Sequence, residues 1–413
     1  MSTQIRKVAV DLTPVLPGGA NGGAKVFTLQ LLQDLSRLNP SCEFLLLTHS
    51  AAYAELALLE RENVRRYLIA DAPPRKFFLP WRSLGRISRH LPRRAKALAA
   101  QIHVRHTAQV ARRLVNDLGH DLLFCPFTAP TYHDPAVPTI CIIYDLQHKT
   151  YPQFFTNDDL KYRDQAFADA IRYGSFLTAI SEYSRESALT YGKIEPHRIA
   201  SIPLRMAQRL EAIDIERCQE VLSAFGLEYQ RYLLYPANFW QHKNHELLLE
   251  SFRIARGAGL PNDMKLVLTG NADKRQETVR NLMRYLGLED SVVIPGYLNK
   301  DQFEAILNCC VGVIFPSLFE GFGLPVIEAM AVGKPVACSR VTSLPEVVGD
   351  AALMFDPRDP QEIAAAMIRL TSDQPLRETL IAAGLKRAGN FEDSMQTARE
   401  YWTLFERALH TRH

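Results

Sequence analysis

The segment Pro316-Ser-Leu-Phe-Glu-Gly-Phe-Gly-Leu-Pro-Val-Ile-Glu-Ala-Met follows the apolar run Val311–Phe315 and carries Pro325 near the start of a helical pattern. A buried strand, a glycine-bearing turn and a helix N-terminus together make an anion site. Gly321 and Gly323 let the backbone come close to a ligand. The free N–H groups of the following helix, with its dipole, favour a phosphate there. Glu320 in the turn and Glu328 just inside the helix then offer carboxylates to hydroxyls near that phosphate, as a sugar or a ribose would present them. Ordinary helix capping uses the same residue types, so the turn alone leaves both readings open.

Three further turns carry polar groups directly after apolar runs, which is where open α/β sheets build their sites. After Tyr232–Ala237 come Asn238, His242 and Lys243. After Thr139–Tyr144 come Asp145 and His148. After Val8-Ala-Val-Asp-Leu comes Pro17-Gly-Gly-Ala-Asn-Gly-Gly-Ala, with Gly22, Gly23 and Lys25 leading into the helical Val26–Leu38. The glycines of that first loop do not fit G-x-G-x-x-G because position 20 is Ala, so the dinucleotide fingerprint fails. A nicotinamide-dependent oxidoreductase is disfavoured accordingly.

The phrase EGFGLPVIEAMAVGKPVACS, with Glu320 and Glu328 in an E-x7-E arrangement, closely resembles the donor-site signature of the retaining GT-B glycosyltransferases of group 1 (family 4), which include many bacterial mannosyltransferases of surface-polysaccharide assembly. The resemblance continues in Val341-Thr-Ser-Leu-Pro-Glu-Val-Val-Gly-Asp and in Tyr235-Pro-Ala-Asn-Phe-Trp-Gln-His-Lys-Asn-His, and covers the C-terminal half. It implies that Glu320 contacts the donor sugar and Glu328 the ribose. The amides of Gly321, Phe322, Gly323 and Leu324 would face the diphosphate. The family usually supplies an Arg and a Lys against that diphosphate; Lys243 matches the Lys, while Asn238 stands at the Arg position. Lys25, Arg205 or His242 are the candidates to replace the missing cation. Gly22 and Gly23 fall in the family's first loop, where backbone approaches donor phosphate and acceptor. Many relatives carry His-Asp at positions 144 and 145; here Tyr144 precedes Asp145, so the histidine role passes to His148 or is lost.

These turns need sheets to hold them. Short apolar runs alternate with helical patterns along all 413 residues, which predicts an α/β protein with parallel sheets covered by helices on both faces. The length and the repetition predict two doubly wound Rossmann-like units facing across a cleft, residues 1–203 and 204–392. The amphipathic stretch Asp393–Leu409 is expected to close the chain by packing back on the N-terminal unit. The strands expected are Val8–Leu12, Phe44–Thr48, Leu122–Phe127, Thr139–Tyr144 and Phe176–Ile180, then Tyr232–Ala237, Lys265–Thr269, Val292–Ile294, Val311–Phe315, Pro335–Cys338 and Ala352–Phe355.

Composition narrows the partners. The net charge of +3 does not imply nucleic acid, and none is expected. Residues 75–113 are different: they hold 11 Lys or Arg and no Asp or Glu, mixed with Phe77, Phe78 and Trp81. They read either as a solvated insertion or as a face for anionic membrane or a lipid-diphosphate-linked acceptor. Seven cysteines without C-x-x-C spacing, and no apolar leader or membrane span, point to reduced core thiols and a cytoplasmic protein, peripheral at the inner face of the membrane if the basic face is used. No D-x-D and no metal-ligand spacing occurs, so the expectation is no cofactor and no metal, the diphosphate being met by Lys243 and helix N–H groups. Mannose from GDP-mannose is the expected donor; a UDP-activated hexose, or a non-catalytic assembly scaffold with a degenerate site, is the alternative.

Overall fold

The computed structural model describes residues 4–18, 21–69, 118–213, 215–271, 274–296 and 298–410; the basic stretch 75–113 lies outside them. Two parallel sheets carry the architecture. The first contains β1 (Lys7–Asp11), β2 (Glu43–Thr48), β3 (Val64–Leu68), β4 (Leu122–Cys125), β5 (Thr139–Ile143), β6 (Phe176–Ala179) and β7 (Ile199–Ser201), in the order β3-β2-β1-β4-β5-β6-β7. The second contains β8 (Tyr232–Pro236), β9 (Lys265–Thr269), β10 (Val292–Val293), β11 (Gly312–Phe315), β12 (Val336–Ser339) and β13 (Leu353–Phe355), in the order β10-β9-β8-β11-β12-β13.

The inner strands β5, β8 and β11 are buried at every position, as continuous apolar runs under helices on both faces must be. Several apolar runs extend past the hydrogen-bonded ladder: Ile180 is buried, and Phe127 and Ile294 partly buried, beyond the paired residues, so the strands are shorter than hydrophobicity predicts. β3 was not expected, because on this edge strand Arg65 and Arg66 interrupt the apolar pattern and one face is left to solvent.

In each sheet the strand order reverses once, between β1 and β4 and between β8 and β11. Crevices open at the carboxyl ends of strands at such reversals. The turns singled out above follow β1, β5, β8 and β11, so topology gathers them.

The helix Ser394–His410 returns to the first sheet. Its Tyr401 and Phe405 rings lie 5.7 and 5.2 Å from Phe124, and the Tyr401 hydroxyl is 3.1 Å from Thr178 Oγ1. All seven cysteines are buried thiols. Among the described residues no helix is long and apolar enough to cross a membrane.

Candidate active site

The turn after β11 is fixed before its side chains are considered. Gly323 has φ +98° and caps the helix Leu324–Ala331; a Cβ there would lie 2.6 Å from Leu344 Cδ2, so glycine is required twice over. Glu320 donates its N–H to Thr342 Oγ1 (3.1 Å), and its carbonyl accepts from Ser343 Oγ (3.0 Å). Both partners belong to the Val341-Thr-Ser-Leu-Pro motif, so the two motifs are joined by hydrogen bonds in the fold.

Lys243 reaches this turn from β8. Its Nζ lies 2.6 Å from Glu320 Oε1, and both side chains are only 10% exposed. The backbone beneath the pair is braced: Tyr235 Oη donates to the Lys243 carbonyl (2.6 Å) and the Leu318 N–H to the His242 carbonyl (2.7 Å). That second bond ties the β8 turn directly to the β11 turn. Asn244, in the left-handed region at φ +60°, donates its amide to the Pro316 and Pro357 carbonyls (3.1 and 2.8 Å). The sequence offered no reason to choose Asn244; its neighbours are 72 and 113 positions away.

Glu328 is buried one turn further on. Arg209, from the connection between the two sheets, places both Nε and Nη2 at 2.6 Å from Glu328 Oε1. Burial pushes this carboxyl up, and the guanidinium opposes that shift.

The first sheet supplies the opposite wall. Gly22 opens the helix Gly22–Leu38 with φ +54°, and a Cβ on it would stand 3.4 Å from Trp240 Cη2; one on Gly23 would stand 3.4 Å from Leu324 Cδ1. Two helix N-termini therefore converge on one cleft. Gly321 is pressed against the other half: a Cβ would meet the Tyr144 carbonyl oxygen at 2.6 Å and Asp145 Cβ at 3.3 Å. Ser184 Oγ donates to the Tyr144 carbonyl (3.0 Å), and Phe319 sits edge-on to Tyr151 and Tyr183 with centroids 6.3 and 5.9 Å away. Glu346 accepts the N–H groups of Glu182 and Tyr183 (2.9 and 3.2 Å), so a carboxylate of the C-terminal half caps a helix of the N-terminal half. Glu320, Lys243, Asp145, Gly321, Gly323, Leu324, Gly22 and Gly23 are thus brought to one cleft, with Phe322 buried beneath against Phe391 (5.6 Å).

The proposed replacements for the missing arginine fare differently. Lys25 spends its ammonium on the Leu16 and Gly18 carbonyls (2.9 Å each) and on Glu55 (2.5 Å), which holds its own loop together. Arg205 makes a bidentate pair with Glu400 (2.9 Å twice) and so anchors the last helix. His242 is neutral, because burial first and the neighbouring Lys243 second push its imidazole down to about 2. Asn238 accepts the Asn271 N–H at 2.8 Å, a loop brace in place of a cation. His148 turns to Asp164, with Nε2 3.0 Å from Oδ1, and edge-on to Phe155, and Asp145 caps the Gln147 N–H (2.9 Å). The Tyr144 hydroxyl, at the position where a histidine was expected, donates to the Ala24 carbonyl (3.3 Å). Among the described residues no group of three His, Cys, Asp or Glu side chains is placed to hold a metal ion.

His245 lies directly behind the site, stacked 4.6 Å from Phe239, and burial and Lys243 push it down to about 3. The unfolded chain takes up protons on His242 and His245 below the ordinary 6.5, whereas the folded chain does not until far lower. Stability is therefore complete above pH 6.5 and lost as pH falls below it, by about 2 kcal/mol per imidazole at pH 5. Melting curves between pH 7.5 and 5.0 should show Tm falling, with a smaller fall in His245→Asn; equal slopes in both proteins contradict this assignment.

Residues 224–387, the segment that contains Lys243, Glu320 and Glu328, match the family described as Glycosyl transferases group 1. The match is to this segment, the second of the two sheets and its helices, and the chain resembles glycosyl transferases group 1 there. It is 29% identical over 269 residues to O-antigen chain mannosyltransferase B of Escherichia coli, covering 64% of this chain and 68% of that protein. It is 30% identical over 267 residues to the serotype-specific mannosyltransferase WbdA of Escherichia coli, covering 61% of this chain but only 31% of that longer protein. Among solved structures, Anabaena HepE in complex with UDP and glucose superposes with a TM-score of 0.70, at 16% identity, over 98% of this chain and 100% of that one. That likeness concerns the fold: the group 1 domain and its N-terminal partner form a GT-B architecture, as the signature around Glu320 implied.

Proposed function

We propose that the protein transfers mannose from GDP-mannose to a saccharide acceptor during assembly of a cell-surface polysaccharide. The group 1 family and the two Escherichia coli mannosyltransferases support the reaction class. The observation that carries the site is the Glu320–Lys243 pair, 2.6 Å apart in a cleft where two helix N-termini converge.

The chemistry follows from charge. Glycosyl transfer builds positive charge at the anomeric carbon and negative charge on the departing phosphate. Lys243 and the amides of the Gly321–Leu324 turn are preorganised donors for that phosphate, each contributing a few kcal/mol, on the order of 3, when aimed at developing charge. Glu320, held by Lys243 and fixed through its backbone, takes the hydroxyls of the donor sugar. Glu328 takes the ribose hydroxyls. Asp145, on the opposite wall beside Gly321, faces the acceptor side. In this scheme the cation pair of the family is reduced to Lys243 and amide dipoles, transfer proceeds with retention, and no metal is required. The acceptor is a saccharide carried on a lipid diphosphate, met at the inner face of the membrane by the basic stretch 75–113.

A thermal-shift screen of the purified chain against GDP-, UDP-, ADP-, CDP- and dTDP-sugars tests the donor. GDP-mannose at 100 times its Kd should stabilise the fold by about 2.7 kcal/mol, read as a rise of a few degrees in Tm. Stabilisation by UDP-sugars alone reassigns the base, and no shift with any of them overturns the proposal.

A further inference from the structure

Arg209 was not among the residues the sequence singled out, yet its contact with Glu328 is as short as that of Lys243 with Glu320, 2.6 Å. It lies in the turn Ala207–Arg209, on the connection between β7 and the helix Ile215–Ala224, 119 positions from its partner. Nε and Nη2 converge on the same atom, Glu328 Oε1, at 2.6 Å each. No described residue donates to the second oxygen, Oε2. The carboxylate is 3% exposed while the arginine side chain is 40% exposed, so the pair presents one buried acceptor held by a group that reaches to the surface.

We propose that Arg209 is a positioning residue for ribose recognition: it fixes one oxygen of Glu328 and leaves the other aimed at the ribose hydroxyls of the donor. The inference rests on the reading of this cleft as a sugar-nucleotide site. A carboxylate accepts strongly from two hydroxyls only when it is ionised and oriented, and burial works against the first condition. The elements packed on the helix Leu324–Ala331 carry few alternatives. Gln374–Ala388 contributes Arg377, Glu378, Lys386 and Arg387, Leu344–Val348 contributes Glu346, and β12 contributes the Cys338 thiol. Arg377 and Arg387 are spent on backbone carbonyls, of Leu370 and Thr371 and of Val347 and Glu346. Arg209 is the charge that acts on Glu328.

The test measures binding of GDP and of 2′,3′-dideoxy-GDP to the full chain, to Arg209→Ala, to Arg209→Lys and to Glu328→Gln, from pH 6 to 9. The unaltered protein should prefer GDP by about 10-fold or more, independent of pH. Arg209→Ala should lose about 10-fold in GDP affinity at pH 7, keep its affinity for the dideoxy analogue, and regain the preference toward pH 9 as the unpaired carboxyl ionises. Arg209→Lys should retain most of the preference. Unchanged affinity for the dideoxy analogue also certifies that the variant is folded. If Arg209→Ala keeps the preference with a flat pH profile while Glu328→Gln loses it, the role of Arg209 is overturned and the donor site stands. If Glu328→Gln keeps it too, or the unaltered protein binds neither nucleotide, the reading of the site itself fails.

Discussion

Replacing Glu320 with Ala is expected to lower kcat/KM for the nucleotide sugar by about 10³-fold, a loss of about 4 kcal/mol of transition-state stabilisation. The size follows from what the side chain has around it. Its backbone is locked by Thr342 and Ser343, its carboxylate by Lys243, and the site is largely shielded from water, where a misplaced or absent acceptor is not replaced cheaply. The loss should fall mainly on kcat, while affinity for the free nucleoside diphosphate stays within a few-fold, because Glu328 and the amides of the turn are untouched. Steady-state kinetics beside calorimetric binding of the diphosphate separate the two. Turnover within 10-fold of the unaltered protein would remove Glu320 from the chemistry.

Lys243→Met should damage both fold and function, and the two effects are separable. The single variant leaves Glu320 buried without its cation, a situation that costs about 3–5 kcal/mol. Chemical denaturation should show that loss, and turnover should fall by about 10²–10³-fold as the departing phosphate loses the Lys243 ammonium. The double variant Lys243→Met, Glu320→Gln replaces the ion pair with neutral groups of similar size, and exchanging a buried pair for such groups is often close to neutral. Stability should therefore return in the double variant while turnover does not. If turnover returned with stability, the pair would be a structural brace, and the site would have to be sought elsewhere in the cleft.

The latch between the halves bears on both experiments. Glu346 on the amides of Glu182 and Tyr183, Ser184 between Tyr144 and Gly321, and the Tyr151–Arg358 hydrogen bond (2.8 Å) all join the N-terminal half to the segment that carries Glu320. Gly321 permits that approach, since any side chain would collide with the Tyr144 carbonyl at 2.6 Å. The turn that carries Glu320 is thus also a surface on which the halves meet.

By itself the sequence determined the features that depend on neighbours in the chain. Alternating apolar runs specified two parallel sheets, because a strand buried on both faces and an amphipathic helix each leave a local signature. The turn from Phe319 to Leu324 was legible for the same reason: glycines, a helix start and two carboxylates at fixed spacing are local properties, and Lys243 after β8 followed the same logic. What the tertiary structure alone decided is which charge meets which. Lys25, Arg205 and Arg209 are equally basic on paper, yet one braces its own loop, one anchors a helix 195 positions away, and one holds Glu328. Electrostatic pairing depends on separation and desolvation, both set only when the sheets are assembled, so no periodicity or composition encodes it. Asn244 and the downward shift of His242 were hidden by the same physics, and so was the contact of His148, left open by the sequence between taking the histidine role and losing it, with Asp164.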